Sequence, residues 1–222
     1  MTEILIPRRG ARRRELTVDG EPWRATSADV LSTLGIRVGF VSPLDDLAAS
    51  LDATEPRSAR ERALRLLSYR DRTASELVDR LEQDGYPRGV AADVVADLLH
   101  SGLVDDERLA TAAAHTLTRV RGFGRARAER ELRSRGVDPA LAQVALDEAL
   151  PPEDELDAAR ALARALATRP GADAGRIATR LVRKGYRQAL AIRVAREVVA
   201  TDGTATSDGF EDTGSDLLVS DD

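Results

Sequence analysis

The pattern of apolar and polar positions changes near residue 58. From Ala59 onwards, apolar side chains recur at helical spacing, and the same arrangement returns three times at intervals of about fifty residues. Each copy predicts a first helix rich in Ala and Leu, a short second helix that ends at a glycine, and a third helix with one continuous apolar stripe. The chain is therefore predicted to be mainly α, an elongated tandem array of three three-helix units.

Three anchor positions align the copies: Leu77, Ala128 and Ile177. In every copy a leucine follows four residues after the anchor and a glycine eight residues after it. Glycine directly after a short helix predicts the left-handed backbone that ends many helices. The leucines and glycines that repeat in this way are Leu81, Leu132, Leu181, Gly85, Gly136 and Gly185.

The first fifty residues have a different pattern. Residues Glu15–Val18 alternate, Asp19-Gly20 is a preferred two-residue turn, and Glu21–Ala25 returns, so a β-hairpin is predicted. Pro56 predicts a break in helical structure at Thr54–Ser58. The predicted domains are a small α+β lobe (1–53), a hinge (54–58), three-helix units at 59–101, 102–151 and 152–200, and a disordered acidic tail (201–222).

Composition narrows the class of protein. The net charge is −5, but residues 201–222 hold seven acids and no base, which leaves the rest of the chain at about +2. All basic residues except Lys184 are arginines, whose planar donors suit carboxylates and phosphates. The absence of cysteine excludes disulfides, and no apolar run is long enough to span a membrane. A cytoplasmic protein, monomeric and without a membrane partner, is expected.

No set of residues predicts catalysis. The two histidines, His100 and His115, have no metal-ligand spacing. Gly122-Phe123-Gly124 lacks the preceding strand and the third glycine of a dinucleotide fingerprint. Asp105-Asp106 would stabilise the start of a helix, and neighbouring acids on one turn point in different directions. We therefore expect no enzyme activity, metal or cofactor.

The distribution of arginine provides the candidate site. The second helix of the first unit is acid-rich, whereas the same helix in the second and third units carries five basic residues each. These basic faces are consistent with ordinary solvated helices, with a track for phosphates, or with a surface for an acidic protein groove. The candidate partner-binding residues are Arg119, Arg121, Arg125, Arg127, Arg130, Arg133, Arg176, Arg180, Arg183 and Lys184.

Three stretches resemble the RecX family of recombination regulators: ALRLLSYRDRTASELVDRLEQDGY (63–86), SGLVDDERLATAAA (101–114) and RGFGRARAERELRSRGV (121–137). The similarity covers about residues 57–200. Leu109 and Leu103-Val104 stand where the family usually has aromatic residues. The positions that match the family motif, for which a structural role is expected, are Asp105, Asp106, Gly122, Gly124, Leu132 and Gly136.

The resemblance implies a regulator of the RecA recombinase that is not an enzyme. Such proteins lie in the groove of the RecA–DNA filament, suppress its ATPase, strand exchange and coprotease activities, and thereby affect DNA repair and the SOS response; some bind single- or double-stranded DNA. Two alternatives stay open: a helical DNA-binding protein that acts without RecA, and a helical scaffold for an unrelated protein.

Overall fold

The computed structural model describes residues 12–18, 20–37 and 40–205, with side chains as far as residue 201. In this part of the chain, ten α-helices accompany one two-stranded hairpin, so the mainly α prediction is confirmed. None of the described helices is both long and apolar enough to cross a membrane. The elements are β1 (Arg13–Val18), β2 (Glu21–Ser27), α1 (Ala28–Thr33), α2 (Leu44–Leu67), α3 (Ala74–Gln83), α4 (Arg88–His100), α5 (Asp106–His115), a π-helix (Thr116–Val120), α6 (Arg125–Ser134), α7 (Pro139–Ala149), a 3₁₀ turn (Pro152–Asp154), α8 (Glu155–Ala167), α9 (Ala174–Arg183) and α10 (Gln188–Ala205).

The predicted hairpin is confirmed. Strands β1 and β2 are antiparallel, with Arg13 opposite Ser27 and Val18 opposite Glu21, and the register shifts at Leu16/Thr17. Leu16 is completely buried, which anchors one face of the hairpin in the apolar core. Asp19, the first residue of the predicted turn, lies outside the described residues.

The predicted break at Thr54–Ser58 is wrong, because α2, which is 24 residues long in total, continues through Pro56. Tertiary contacts hold this stretch. The Glu55 side chain is fully buried, accepts a hydrogen bond from Thr26 Oγ1 at 2.7 Å, and pairs with Arg24 Nη2 at 2.6 Å. These bonds to β2 offset the helix hydrogen bond that a proline cannot donate.

The repeat predicted from the sequence is visible in burial. The three anchors and the leucines four residues after them are at most 1% exposed, and Gly85, Gly136 and Gly185 all have positive φ. Side chains cap the starts of two helices: Thr73 accepts a hydrogen bond from Glu76 N, and Asp138 accepts one from Ala140 N. Periodicity thus identified both the buried faces and the helix ends.

The described residues divide into two compact bodies. The first contains residues up to 113 together with 131–145, and its core joins Leu16 of the hairpin to α2, α3 and α4. The second contains residues 114–130 and those from 146 onwards, with a core from α8, α9 and α10.

The predicted domain boundaries stay a prediction. The predicted tail is wrong for residues 201–205, which continue α10, and residues 206–222 lie outside the described part.

Candidate functional site

A π-helix lies directly before the turn that contains Arg121, in the second body. It covers Thr116–Val120 and is closed by the hydrogen bond from Arg121 N to Thr116 O, at 3.0 Å. A π turn contains one residue more than an α turn, and such turns are frequent at functional sites. Val120 is 80% exposed here, and Arg119 is exposed beside it. The sequence pattern did not predict this change of helix type.

Two glycines bring the start of α6 against the end of α9. Gly124 N donates to Lys184 O at 2.8 Å, and a Cβ at Gly124 would lie 2.8 Å from Gly185 O. A Cβ at Gly185, where φ is +96°, would lie 2.7 Å from Arg127 N and overlap the Cβ of that arginine. A side chain at either position would separate the two helix ends, because the atoms it meets are backbone or Cβ atoms.

Three cations surround the ring of Phe123 at the junction, the place where the start of α6 meets the end of α9. Its side chain is buried, with Arg127 Cζ 4.1 Å, Lys184 Nζ 5.0 Å and Arg121 Cζ 5.9 Å from the ring centroid. Arg127 Nη1 donates to Arg183 O, and Lys184 Nζ donates to Arg121 O, both at 2.6 Å. Cation–π attraction and these carbonyls hold the three charges together. Phe123 had no assigned role in the sequence analysis, although it is the only aromatic residue between Tyr86 and Tyr186.

Arg125 serves a different purpose from its neighbours. Its side chain is only 15% exposed, pairs with Asp147, and donates to the carbonyls of Leu146 and Leu150 at 3.0 and 2.5 Å. The Leu150 carbonyl lies directly after α7, where the helix offers no donor, whereas the Leu146 carbonyl also accepts from Leu150 N at 2.9 Å. The contacts stabilise the helix end and occupy much of the Arg125 guanidinium.

The other predicted cations are mostly exposed. Arg176 pairs with Asp173 at 3.3 Å and donates to Gly171 O at 2.7 Å. It lines a cavity of about 100 Å³ with Arg169, a residue that the sequence analysis did not select. Arg133 lies in the first body. Across the described part of the chain, no carboxylate pairs with the exposed side chains of Arg119, Arg130, Arg133, Arg180 and Arg183.

Asp105 and Asp106 accept hydrogen bonds at the N-termini of two helices in the first body. Asp105 accepts from Arg108 N in the first turn of α5, and Asp106 accepts from Ala74 N in the first turn of α3, both at 2.9 Å. A Cβ at Gly136 would lie 3.0 Å from Thr73 Oγ1, which donates to the neighbouring Arg135 carbonyl. Among the described residues, no cluster of His, Cys, Asp and Glu could hold a metal ion.

One titratable group beside the junction has a clearly shifted pKa. Burial raises the pKa of Tyr186, next to Gly185, to about 12, and the nearby charge of Glu155 acts in the same direction. Both effects disfavour the phenolate. Tyr186 therefore stays neutral at physiological pH, as a member of the core around α9 and α10.

Similarity to known proteins is consistent along most of the chain. Residues 59–98 match the family model described as "RecX, first three-helix domain", and residues 105–146 match "RecX, second three-helix domain". The "Regulatory protein RecX" of Streptomyces lividans is 37% identical over 153 residues, which cover 67% of this chain and 81% of that protein. The protein of the same name from Mycolicibacterium smegmatis is 32% identical over 179 residues, covering 75% and 95% respectively.

Solved structures agree with this relationship at the level of the fold. The crystal structure of RecX from Lactobacillus salivarius superposes with a TM-score of 0.58 at 22% identity, covering 67% of this chain and 99% of that one. A second structure, "Crystal structure of regulatory protein RecX", has a TM-score of 0.56 and covers 90% and 100%. From its sequence relatives, its two matched three-helix domains and its fold, the chain belongs to the RecX family.

Proposed function

We propose that the protein is a regulator of the RecA recombinase, acting as an inhibitor and without enzyme activity of its own. It binds as a cytoplasmic monomer in the groove of the RecA–DNA filament and lowers ATP hydrolysis and strand exchange. DNA repair and SOS induction are the processes it would restrain. Support comes from the family, whose members are named regulatory proteins, and from the basic surface of the second body.

The observation that carries the proposal is the accumulation of unpaired cations in the second body. Residues 114–130 and 146–205 contain 15 basic and 10 acidic residues, a net charge of +5. The exposed arginines Arg119, Arg130, Arg180 and Arg183 find no carboxylate there. A surface with this charge attracts an anionic partner and orients it during encounter.

The decisive experiment measures ATP hydrolysis by RecA on single-stranded DNA while the purified full-length protein is titrated in. We expect the rate to fall to a plateau as the protein saturates the filament. A rate that is unchanged at saturating protein would falsify the proposed function. Using RecA from the same organism keeps the contact surfaces matched.

A second candidate function is DNA binding without RecA, which the cations around Phe123 favour. It predicts that the protein alone binds DNA with an affinity that decreases steeply with salt, because each phosphate contact releases counterions. Inhibition of RecA would then disappear when excess DNA is added. If inhibition instead depends on the concentration of RecA and not on the concentration of free DNA, this alternative is excluded.

A further inference from the structure

We infer that the cations around Phe123 form a built site for one phosphate group of a nucleic-acid backbone. The site consists of Arg121, Arg127 and Lys184. The assignment of this site rests on the proposed role of the basic surface in partner binding, and it adds that the group bound here is a phosphate. The geometry, not the total charge, distinguishes these three residues from the exposed arginines elsewhere in the second body.

Three positive charges lie around Phe123, and no carboxylate of the described residues balances them. All three groups lie within 5.9 Å of one ring centroid, and in the described part of the chain none pairs with an acid. Three like charges around one ring repel each other, and the attraction of each cation to the ring and to the helix carbonyls offsets this repulsion only in part. A single bound anion would relieve the repulsion among all three.

Two of the three cations are already held in place before any ligand binds. Arg127 and Lys184 are each fixed by a 2.6 Å hydrogen bond to a backbone carbonyl, which uses one N–H donor and leaves the others available. Side chains that are already ordered lose little entropy when they bind a ligand. Arg121 is exposed and completes the set from the turn that follows the π-helix.

The donors identify the anion. A phosphodiester carries its charge on two non-bridging oxygens that can each accept several hydrogen bonds, and proteins bind phosphate both with the planar fork of arginine and with lysine as a point charge. The ring of Phe123 is only 6% exposed and leaves no face on which a base could stack. The site would therefore contact the backbone and be insensitive to base sequence.

Arg121 is the residue through which the site can be tested without disturbing the fold. The side chains of Arg127 and Lys184 also hold helix ends together, whereas among the described residues the Arg121 guanidinium has the ring as its one recorded partner, at the longest distance of the three. Arg196, on the exposed side of α10, offers a control substitution with the same change of charge.

The experiment measures fluorescence anisotropy of a labelled 20-nucleotide oligothymidylate with full-length protein between low and moderate NaCl. We expect Arg121→Gln to weaken binding about three- to tenfold and to reduce the salt slope by about one phosphate contact, while Arg196→Gln changes the slope little. Equal effects of the two variants would mean that total charge alone binds DNA, and the inference would be wrong. Circular dichroism confirms that both variants are folded.

Two further measurements separate the remaining outcomes. Polyglutamate is added as a competitor: if it displaces the oligonucleotide as well as equally charged polyphosphate does, the site is not specific for phosphate and the inference fails. The RecA ATPase assay is run on the same variants. Inhibition of RecA by a protein that binds no oligonucleotide would overturn the phosphate site and leave the proposed function standing.

Discussion

At the scale of the single residue, arginines on one short helix have different roles. Arg125 and Arg130 both lie on α6, and the sequence predicted both as partner contacts. The structure makes Arg125 a cap for α7 at 15% exposure, and leaves Arg130 exposed without a carboxylate partner among the described residues. Sequence could not separate them, because the carbonyls that bind Arg125 come from residues more than twenty positions later.

This difference predicts opposite effects of the same substitution. Arg125→Gln should lower the free energy of unfolding by about 1–3 kcal/mol, since the carbonyl of buried Leu150 at the end of α7 loses its donor. Arg130→Gln should change it by less than about 0.5 kcal/mol. Urea unfolding followed by circular dichroism measures both. Equal stabilities would show that the Arg125 contacts contribute nothing to the fold.

The phenol of Tyr186 predicts how stability responds to alkaline pH. Its pKa is raised from 10 to about 12 in the folded protein, so folding favours the neutral form. The stability linked to this proton is therefore fully present below pH 10 and is lost as the pH rises through about 12. Unfolding by urea at pH 8 and at steps above pH 10 measures the loss.

Tyr186→Phe provides the direct comparison, because phenylalanine fills the same core without a proton to lose. The variant should retain more of its stability above pH 10 than the wild type does. Tyr69→Phe is the matched control: Tyr69 is 83% exposed, so removing its hydroxyl should leave the pH profile unchanged. A wild-type profile that the Tyr186 substitution does not alter would rule out this phenol as the source.

At the scale of secondary structure, periodicity predicted helices well and their interruptions poorly. The buried positions, the hairpin and the glycines that end the short helices followed from local patterns. The continuity of α2 through Pro56 did not, because it depends on Glu55 bonding to Thr26, a residue 29 positions earlier. The π turn before Arg121 was not predicted either, because the apolar pattern indicates a helix without distinguishing a π turn from an α turn.

The approach of α6 and α9 gives a prediction about glycine. Gly185→Ala should destabilise the protein more than Gly102→Ala does. Both residues have positive φ, which costs an alanine about 1–2 kcal/mol, but a Cβ at Gly102 meets no atom within 4 Å whereas one at Gly185 meets Arg127. The overlap should add about 1–3 kcal/mol. Thermal unfolding of the two variants measures the difference.

The comparison isolates the close contact, because strain in the backbone is common to both variants. Gly185→Ala should also disturb the cations at Phe123, since Arg127 must move. Near-ultraviolet circular dichroism of the aromatic residues would detect the change. If both variants lost the same stability, the junction would tolerate a side chain and the glycine would be needed only for its backbone conformation.

At the scale of the whole molecule, the net charge of −5 hides a contrast between the two bodies. The described residues of the first body contain 16 basic and 20 acidic residues, and many of its arginines are paired, as in Arg62–Asp84 and Arg24–Glu55. The described residues of the second body, 114–130 and 146–205, have the opposite balance, 15 basic against 10 acidic residues. The sequence predicted which helices are basic, but pairing depends on contacts between distant residues. Exposed cations without such partners are the ones available to another molecule.

The contrast predicts that equal changes of total charge will have unequal effects on RecA. The triple substitution Arg130→Gln, Arg180→Gln and Arg183→Gln removes three exposed, unpaired cations from the second body and should raise the concentration needed for half-inhibition of RecA ATPase at least about tenfold. The control, Arg57→Gln, Arg88→Gln and Arg108→Gln, removes three cations from surface ion pairs of the first body. It should change half-inhibition less than about twofold, and neither variant should lose more than about 1 kcal/mol per substitution. Equal losses of inhibition would show that RecA responds to net charge, and a loss confined to the control would place the contact surface on the first body.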